Sequence, residues 1–138
     1  MSKLKAFFAI DIFRRHHLLL LLTIGCAAAL LMTGSVKIQG LWIIALMFEE
    51  KYGLPLWFMF FVGYAEVLGA LSLFLKRWAI YGSLGLLVIL TGASTFHLIN
   101  DDPLELAGMA YGLTAAMVII FVYHWADRSA EHDAGHAR

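Results

Sequence analysis

Long apolar runs separated by short polar stretches dominate this chain. Four of the runs have the length of a bilayer-spanning helix, which takes about 20 residues. They cover about residues 18–36, 55–75, 78–99 and 104–125. Two shorter segments, 3–15 and 41–50, mix apolar and charged residues and predict short amphipathic helices, the second one interfacial or re-entrant between the first and second spans. The pattern therefore predicts an all-α membrane protein, a bundle of four transmembrane helices.

Composition supports this prediction and excludes other classes. The chain is 62% hydrophobic and 14% charged, which indicates one integral membrane domain covering residues 1–138. The formal net charge is zero, so charge gives no indication of nucleic-acid binding. The one cysteine, Cys26, cannot form an intrachain disulfide, and no Cys and His residues have the spacing of a zinc site. We expect no metal, and no bound cofactor is clearly encoded.

Basic residues predict the orientation in the membrane. With four spans, eight of them fall on one side: Lys3, Lys5, Arg14, Arg15, Lys76, Arg77, Arg128 and Arg138. Only Lys37 and Lys51 fall on the other. Because Lys and Arg are enriched in cytoplasmic loops, both termini should be cytoplasmic, in a cell (inner) membrane protein. The tryptophans lie at the two predicted boundaries, Trp42 and Trp57 outside and Trp78 and Trp125 inside.

The second apolar run carries one carboxylate, Glu66, in its middle. Glu66 lies about 16 Å along the helix from Pro55, near the bilayer midplane. An ionisable group at that depth should face the protein interior and have a partner. Gly63, Glu66 and Ala70 share one helical face with Gly69 beside them, so another helix can approach closely. Two interpretations stay open: a proton, ligand or quinone-headgroup site, or a protonated carboxyl that holds helices together.

Further polar residues concentrate toward the predicted outer surface. Thr91, Ser94 and Thr95 share one face of the third helix and descend from His97 toward the depth of Glu66. The pattern predicts a cavity that opens outward and is floored by Glu66. The alternative is that the hydroxyls bond to their own helix and the charges lie among headgroups. The candidate ligand-binding or proton-carrying residues are Glu66, His97, Lys37, Glu105, Thr91, Ser94, Thr95, Tyr64 and Tyr111.

Histidines lie at both predicted membrane boundaries. His97, at the outer one, is placed either to exchange a proton with a nearby carboxylate or only to bind water. The nearby carboxylates are Asp101, Asp102 and Glu105. The histidines of the inner boundary are His16, His17 and His124. Their shared level makes haem ligation conceivable, but nothing else marks a porphyrin pocket, so haem is disfavoured.

Several short motifs follow one another in a characteristic order. They are Thr33-Gly34-Ser35-Val36-Lys37, Tyr52-Gly53-Leu54-Pro55, Gly63-Tyr64-Ala65-Glu66-Val67-Leu68-Gly69-Ala70, Arg77-Trp78-Ala79 and Gly92-Ala93-Ser94-Thr95-Phe96-His97. Over roughly residues 15–125 the chain resembles the DoxX and DoxX-like family of small four-helix membrane proteins. The resemblance implies association with redox chemistry, since named members are small subunits of thiosulfate:quinone oxidoreductase or quinol oxidase complexes. It implies no catalytic mechanism.

Three functional hypotheses follow. The first is a small membrane subunit or accessory protein of a quinone-linked redox system, with a quinone or similar amphiphile bound near Glu66 and with His97 and Glu105 at the outer mouth. The second is a structural or assembly subunit that packs against a membrane protein or a second copy. The third is a small-solute transporter acting as an oligomer. In each case the lipid bilayer is a partner, and intrinsic enzyme activity is left open.

Overall fold

The chain folds into helices in the part that the structure, a computed structural model, describes: the backbone of residues 2–136 and the side chains of residues 16–129. The α-helices are α1 (Ser2–Ile38), α2 (Trp42–Leu46), α3 (Leu56–Ser72), α4 (Ala79–Ile99) and α5 (Leu104–His136). A π-helical turn, Met47–Lys51, continues α2. The described residues contain no strand, which agrees with the predicted all-α class.

Three segments are long and apolar enough to cross a membrane: His16–Ile38 of α1, Ala79–Ile99 of α4 and Leu104–Ser129 of α5. They correspond to three of the four predicted spans. The fourth run forms α3, which is apolar but has only 17 residues, about 25 Å of helix. It ends before the predicted boundary at Leu75 because the last turn tightens. There Phe74 N–H bonds to Leu71 O and Leu75 N–H to Ser72 O, each over three residues.

The two short segments have different outcomes. Residues 3–15 do not form a separate helix, since α1 runs without a break from Ser2 to Ile38. Residues 42–51 are helical, as predicted, and none of them is buried. Glycines with positive φ precede and follow this segment, Gly40 at 63° and Gly53 at 65°. A residue without a Cβ adopts this conformation at low cost, so these glycines allow the chain to turn into and out of the segment.

The long helices and α3 pack in sequence around one core. The main contacts join α1 to α3, α3 to α4 and α4 to α5, and α5 also returns to α1. The buried core cluster comprises Cys26, Ala27, Leu30, Ala70, Leu73, Leu86, Leu90, Met117 and Ile120. Cys26 is thus a buried apolar packing group. Bulky apolar residues such as Leu21, Leu68 and Val88 are exposed on the outside, as expected for a surface that contacts lipid.

The backbones of α1 and α3 touch at a pair of glycines. A Cβ added to Gly34 would lie 2.8 Å from the carbonyl oxygen of Gly63, and one added to Gly63 would lie 3.0 Å from that of Gly34. Both distances are shorter than ordinary contacts, so only glycine allows this approach. On the same helix Gly69 packs against the Leu86 side chain of α4. The predicted close approach of other helices to the small-residue face of α3 is therefore confirmed.

Candidate functional site

A buried ion pair lies between α1 and α3, next to the glycine contact. Lys37 Nζ is 2.7 Å from Glu66 Oε2 and 3.0 Å from Oε1, and Thr33 Oγ1 donates to Oε2 at 3.2 Å. The side chains are 5% exposed for Glu66 and 17% exposed for Lys37. The expectation that Glu66 is buried with a partner is confirmed. That partner is a cation, with a hydroxyl beside it.

Local helix geometry explains how this pair forms. Thr33 and Lys37 are four residues apart and therefore lie one above the other on the same face of α1. Gly34 lies between them and lets α3 come close. On α3, Glu66 follows Gly63 by three residues, so it projects from the face that meets α1. The same two glycines that bring the helices together therefore place the carboxylate under the ammonium group.

The electrostatics of the pair depend on its burial. Removing two charges from water costs several kcal/mol for each, and the attraction between them offsets that cost only with good geometry. Here both carboxylate oxygens are within hydrogen-bond distance of Lys37, and the Thr33 hydroxyl adds a further donor to Oε2. The pair thus combines a cationic donor with an anionic acceptor inside a largely apolar bundle.

A second polar cluster, comprising Lys51, Tyr52, His97 and Asp102, joins three parts of the chain and is called the outer cluster after its predicted position. Asp102 is at its centre, with a side chain that is 1% exposed. Tyr52 donates to Asp102 Oδ2 at 2.9 Å, His97 Nδ1 lies 2.6 Å from the same oxygen, and Lys51 forms an ion pair with Oδ1. These contacts tie the π-helical turn to the end of α4 and to the loop between α4 and α5.

Two pKa values in the outer cluster are shifted. The hydrogen bond from Lys51, with weaker contributions from His97 and Tyr52, lowers the pKa of Asp102 to about 2 although burial opposes the shift. Burial, followed by the hydrogen bond to Asp102, raises the pKa of Tyr52. Asp102 is therefore ionised and Tyr52 neutral at physiological pH. The predicted pairing of His97 with a nearby carboxylate is met by Asp102.

The three hydroxyl residues that were predicted to share one face of α4 do not line one surface. They are Thr91, Ser94 and Thr95. Ser94 lies 2.9 Å from the Thr114 hydroxyl of α5. Thr95 instead donates to the Thr91 carbonyl oxygen at 2.8 Å, and both threonines are exposed. Successive helical residues are about 100° apart, so Ser94 meets α5 while Thr95 turns outward. The alternative interpretation, hydroxyls bonded to their own helix, describes Thr95.

The remaining sequence candidates lie outside both clusters. Glu105 and Tyr64 are exposed, and Tyr111 is half-buried. At the end of the bundle away from the outer cluster, His16 Nδ1 lies 2.9 Å from the Tyr123 hydroxyl. Among the residues with described side chains, no three His, Cys, Asp or Glu residues form a group that could hold a metal ion.

Four residues of the two clusters were not among the candidates: Thr33, Lys51, Tyr52 and Asp102. Thr33 could have been found from its spacing to Lys37, because residues four apart share a helical face. Asp102 was named only as a neighbour of His97. Lys51 and Tyr52 join the cluster through the π-helical turn, and no local pattern predicts that turn.

Comparison with known proteins identifies the family. A family model described as the DoxX-like family matches residues 21–122. The chain belongs to the DoxX-like family. The matched range contains both the Lys37–Glu66 pair and the outer cluster. Searches of curated proteins and of solved structures found no match to this DoxX-like protein.

Proposed function

We propose that this DoxX-like protein is a small membrane subunit or accessory protein of a quinone-linked redox system, and that it binds the headgroup of a quinone or similar amphiphile beside Lys37 and Glu66. The family resemblance motivates the redox role. The buried ion pair carries the proposal, because an ionisable group inside a membrane is a functional-site hypothesis by default.

The proposal includes four crossings of the cell (inner) membrane, with both termini cytoplasmic and with α2 and the π-helical turn at the outer surface. The 17 residues of α3 are at the short end of the observed span lengths, about 17–25 residues. The excess of Lys and Arg near both termini and in the turn between α3 and α4 supports this orientation. In this arrangement the outer cluster lies at the outer surface and Glu66 lies deeper.

The chemistry of the pair suits a quinone headgroup. An ammonium group only donates hydrogen bonds and a carboxylate only accepts them. A quinone carbonyl can therefore accept from Lys37, whereas a quinol hydroxyl can donate to Glu66. Lys37 is the more exposed partner, so it is the group that a ligand would meet first. Glu66 would then hold the proton or the second hydrogen bond.

Native mass spectrometry of the gently extracted protein tests the proposal. The variant is Lys37→Met/Glu66→Met, which removes both charges and leaves neither buried without its partner. Glu66→Gln alone would leave Lys37 unpaired at a cost of about 3–5 kcal/mol and would confuse ligand loss with unfolding. We expect the parent protein to retain a quinone and the double variant to lose it while its melting temperature stays near that of the parent.

Glu50→Gln is the matched control, since Glu50 is an exposed carboxylate on the π-helical turn. This variant should retain the quinone at the level of the parent. A parent protein that carries no quinone, or a double variant that retains as much as the parent, would contradict the proposed function.

A structural or assembly role is the second candidate, and the glycine contact favours it. Gly34 and Gly63 leave no space between the α1 and α3 backbones, and Lys37, Thr33 and Glu66 satisfy one another. For this role the same mass spectra would show a second membrane protein or a second copy, with no small molecule bound. Lys37→Met/Glu66→Met, which leaves no charge unpaired, would then weaken assembly and thermal stability together.

A further inference from the structure

An open cleft of about 440 Å³ lies at the other end of the molecule from the outer cluster. It is lined by Lys76, Arg77, Ile80, His124, Asp127 and Arg128. Neither the ion pair nor the outer cluster contributes a residue to this cleft. Its volume is within the range of about 300–1,000 Å³ that is typical of small-molecule sites.

Helix connectivity places the cleft at one end of the bundle. The short loop between Ile99 and Leu104 makes α4 and α5 antiparallel neighbours, so the start of α4 and residues 124–128 of α5 lie at the same end. The contact between His16 and Tyr123 brings the start of the first apolar span to that end as well. All three membrane-length segments therefore begin or finish near the cleft.

Tryptophans indicate the depth of the cleft in the bilayer. Trp78 directly precedes α4 and is 58% exposed, and Trp125 of α5 is 59% exposed. Exposed indoles of membrane helices concentrate at the level of the lipid headgroups. Arg77 and His124 line the cleft. Each directly precedes one of these tryptophans in the chain, Arg77 before Trp78 and His124 before Trp125. The cleft is thus at headgroup depth.

The charge of the cleft is positive although the chain as a whole is neutral. Three lining residues are cationic, Lys76, Arg77 and Arg128, and one is acidic, Asp127. The Arg128 guanidinium lies 5.2 Å from the centre of the Tyr81 ring, a contact that restricts where the side chain points. Arginine binds phosphate oxygens through two parallel hydrogen bonds, so a phosphate group fits this donor set.

We propose that this cleft binds the phosphate headgroup of an anionic phospholipid. Free phosphate offers the same oxygens, but the surroundings favour a lipid. Leu75 directly precedes Lys76, and Leu84 is one helical turn from Ile80; both are exposed apolar side chains that acyl chains can cover. Basic pockets between membrane helices on the cytoplasmic side bind anionic headgroups in this way. The proposal does not depend on the proposed quinone site.

Native mass spectrometry from mixed micelles with equal amounts of phosphatidylglycerol and phosphatidylcholine tests this site. We expect the parent protein to retain phosphatidylglycerol preferentially. Arg77→Gln/Arg128→Gln should weaken that preference by roughly fivefold for each arginine removed. Asp127→Asn removes the acidic group of the cleft and should strengthen the preference, a change of opposite sign that general destabilisation does not produce.

Lys51→Gln removes one positive charge at the other end of the molecule, outside the cleft, and should leave the preference unchanged. Equal retention of the two lipids by the parent protein would overturn the proposal, as would a double arginine variant that behaves like Lys51→Gln. A third arm adds inorganic phosphate to the parent protein. If inorganic phosphate displaces the retained lipid, the cleft binds free phosphate and the lipid assignment is wrong.

Discussion

At the residue scale, the Lys37–Glu66 pair joins side chains from different levels of two helices, because Lys37 lies against Gly63, almost one helical turn from Glu66. The position of Glu66 in an apolar run required burial and a partner, and both are present. Lys37 was placed at the outer end of the first helix, at a higher level than Glu66. Its flexible four-carbon side chain covers the difference in depth and places the ammonium group 2.7 Å from the carboxylate. Sequence spacing alone does not give that reach.

The outer cluster makes a testable prediction about pH. The pKa of Asp102 lies below its ordinary value of 3.8, at about 2, so its ionised form stabilises the folded state. That stabilisation is fully present above pH 4 and is lost as the pH falls from about 4 to about 2. We expect the melting temperature to fall over this interval in the parent protein and to fall less in Asp102→Asn. Thermal unfolding in detergent, measured at a series of pH values, checks this expectation.

Asp101→Asn is the matched control, because Asp101 is the adjacent carboxylate but is exposed. Its φ of 49° is a conformation that Asn also adopts readily, so the substitution keeps the backbone of the loop. This variant should retain the acid-dependent fall of the parent. An equal loss of pH dependence in Asp101→Asn and Asp102→Asn would show that the outer cluster is not its source.

At the scale of the helix, the α1–α3 contact predicts opposite effects for two glycines of the same helix. Gly34→Ala would place a Cβ 2.8 Å from the Gly63 carbonyl oxygen, a backbone atom that cannot rotate away. We expect a loss of about 1–3 kcal/mol in the free energy of unfolding as the helices separate. Gly25→Ala has no atom within 4 Å of the added Cβ. It should be neutral or more stable by up to about 1 kcal/mol, because alanine favours helix.

Reversible unfolding of both variants in the same detergent measures the difference. The prediction fails if the two substitutions have the same effect on the free energy of unfolding. Both substitutions replace glycine with alanine inside α1, so the gain in helix propensity is common to the two variants. The control therefore isolates the helix contact from helix propensity.

Helix existence was more predictable than helix ends. Apolar runs of bilayer length predicted α1, α4 and α5, because their hydrophobicity must be covered by lipid or protein. The end of α3 at Ser72 was not predicted, since residues up to Leu75 are equally apolar and only a tightened turn ends the helix. Residues 3–15 differ from the following run in composition but not in helix propensity, so the structure continues α1 through them.

At the scale of the whole molecule, the part-buried polar contacts between different elements lie toward one end of the bundle. The core cluster occupies the middle of α1, α4 and α5 and the end of α3, whereas the ion pair, the Ser94–Thr114 contact and the outer cluster follow toward the loop between α4 and α5. The sequence predicted this division from the depth of each polar residue. It could not show that Thr91 and Thr95 turn outward. Three polar residues on one helical face do not indicate which neighbouring helix packs against that face.

The number of membrane crossings makes the last prediction, and α3 decides it. With four crossings Glu50 and Ser129 lie on opposite sides, whereas they lie on the same side if α3 does not cross. Both residues are exposed, and Cys26 is buried and 4% exposed, so Glu50→Cys and Ser129→Cys each add one reactive thiol. We expect a membrane-impermeant maleimide to label Glu50→Cys on intact cells and Ser129→Cys only after lysis. Labelling of both variants on intact cells would mean three crossings, with α3 lying on the outer side.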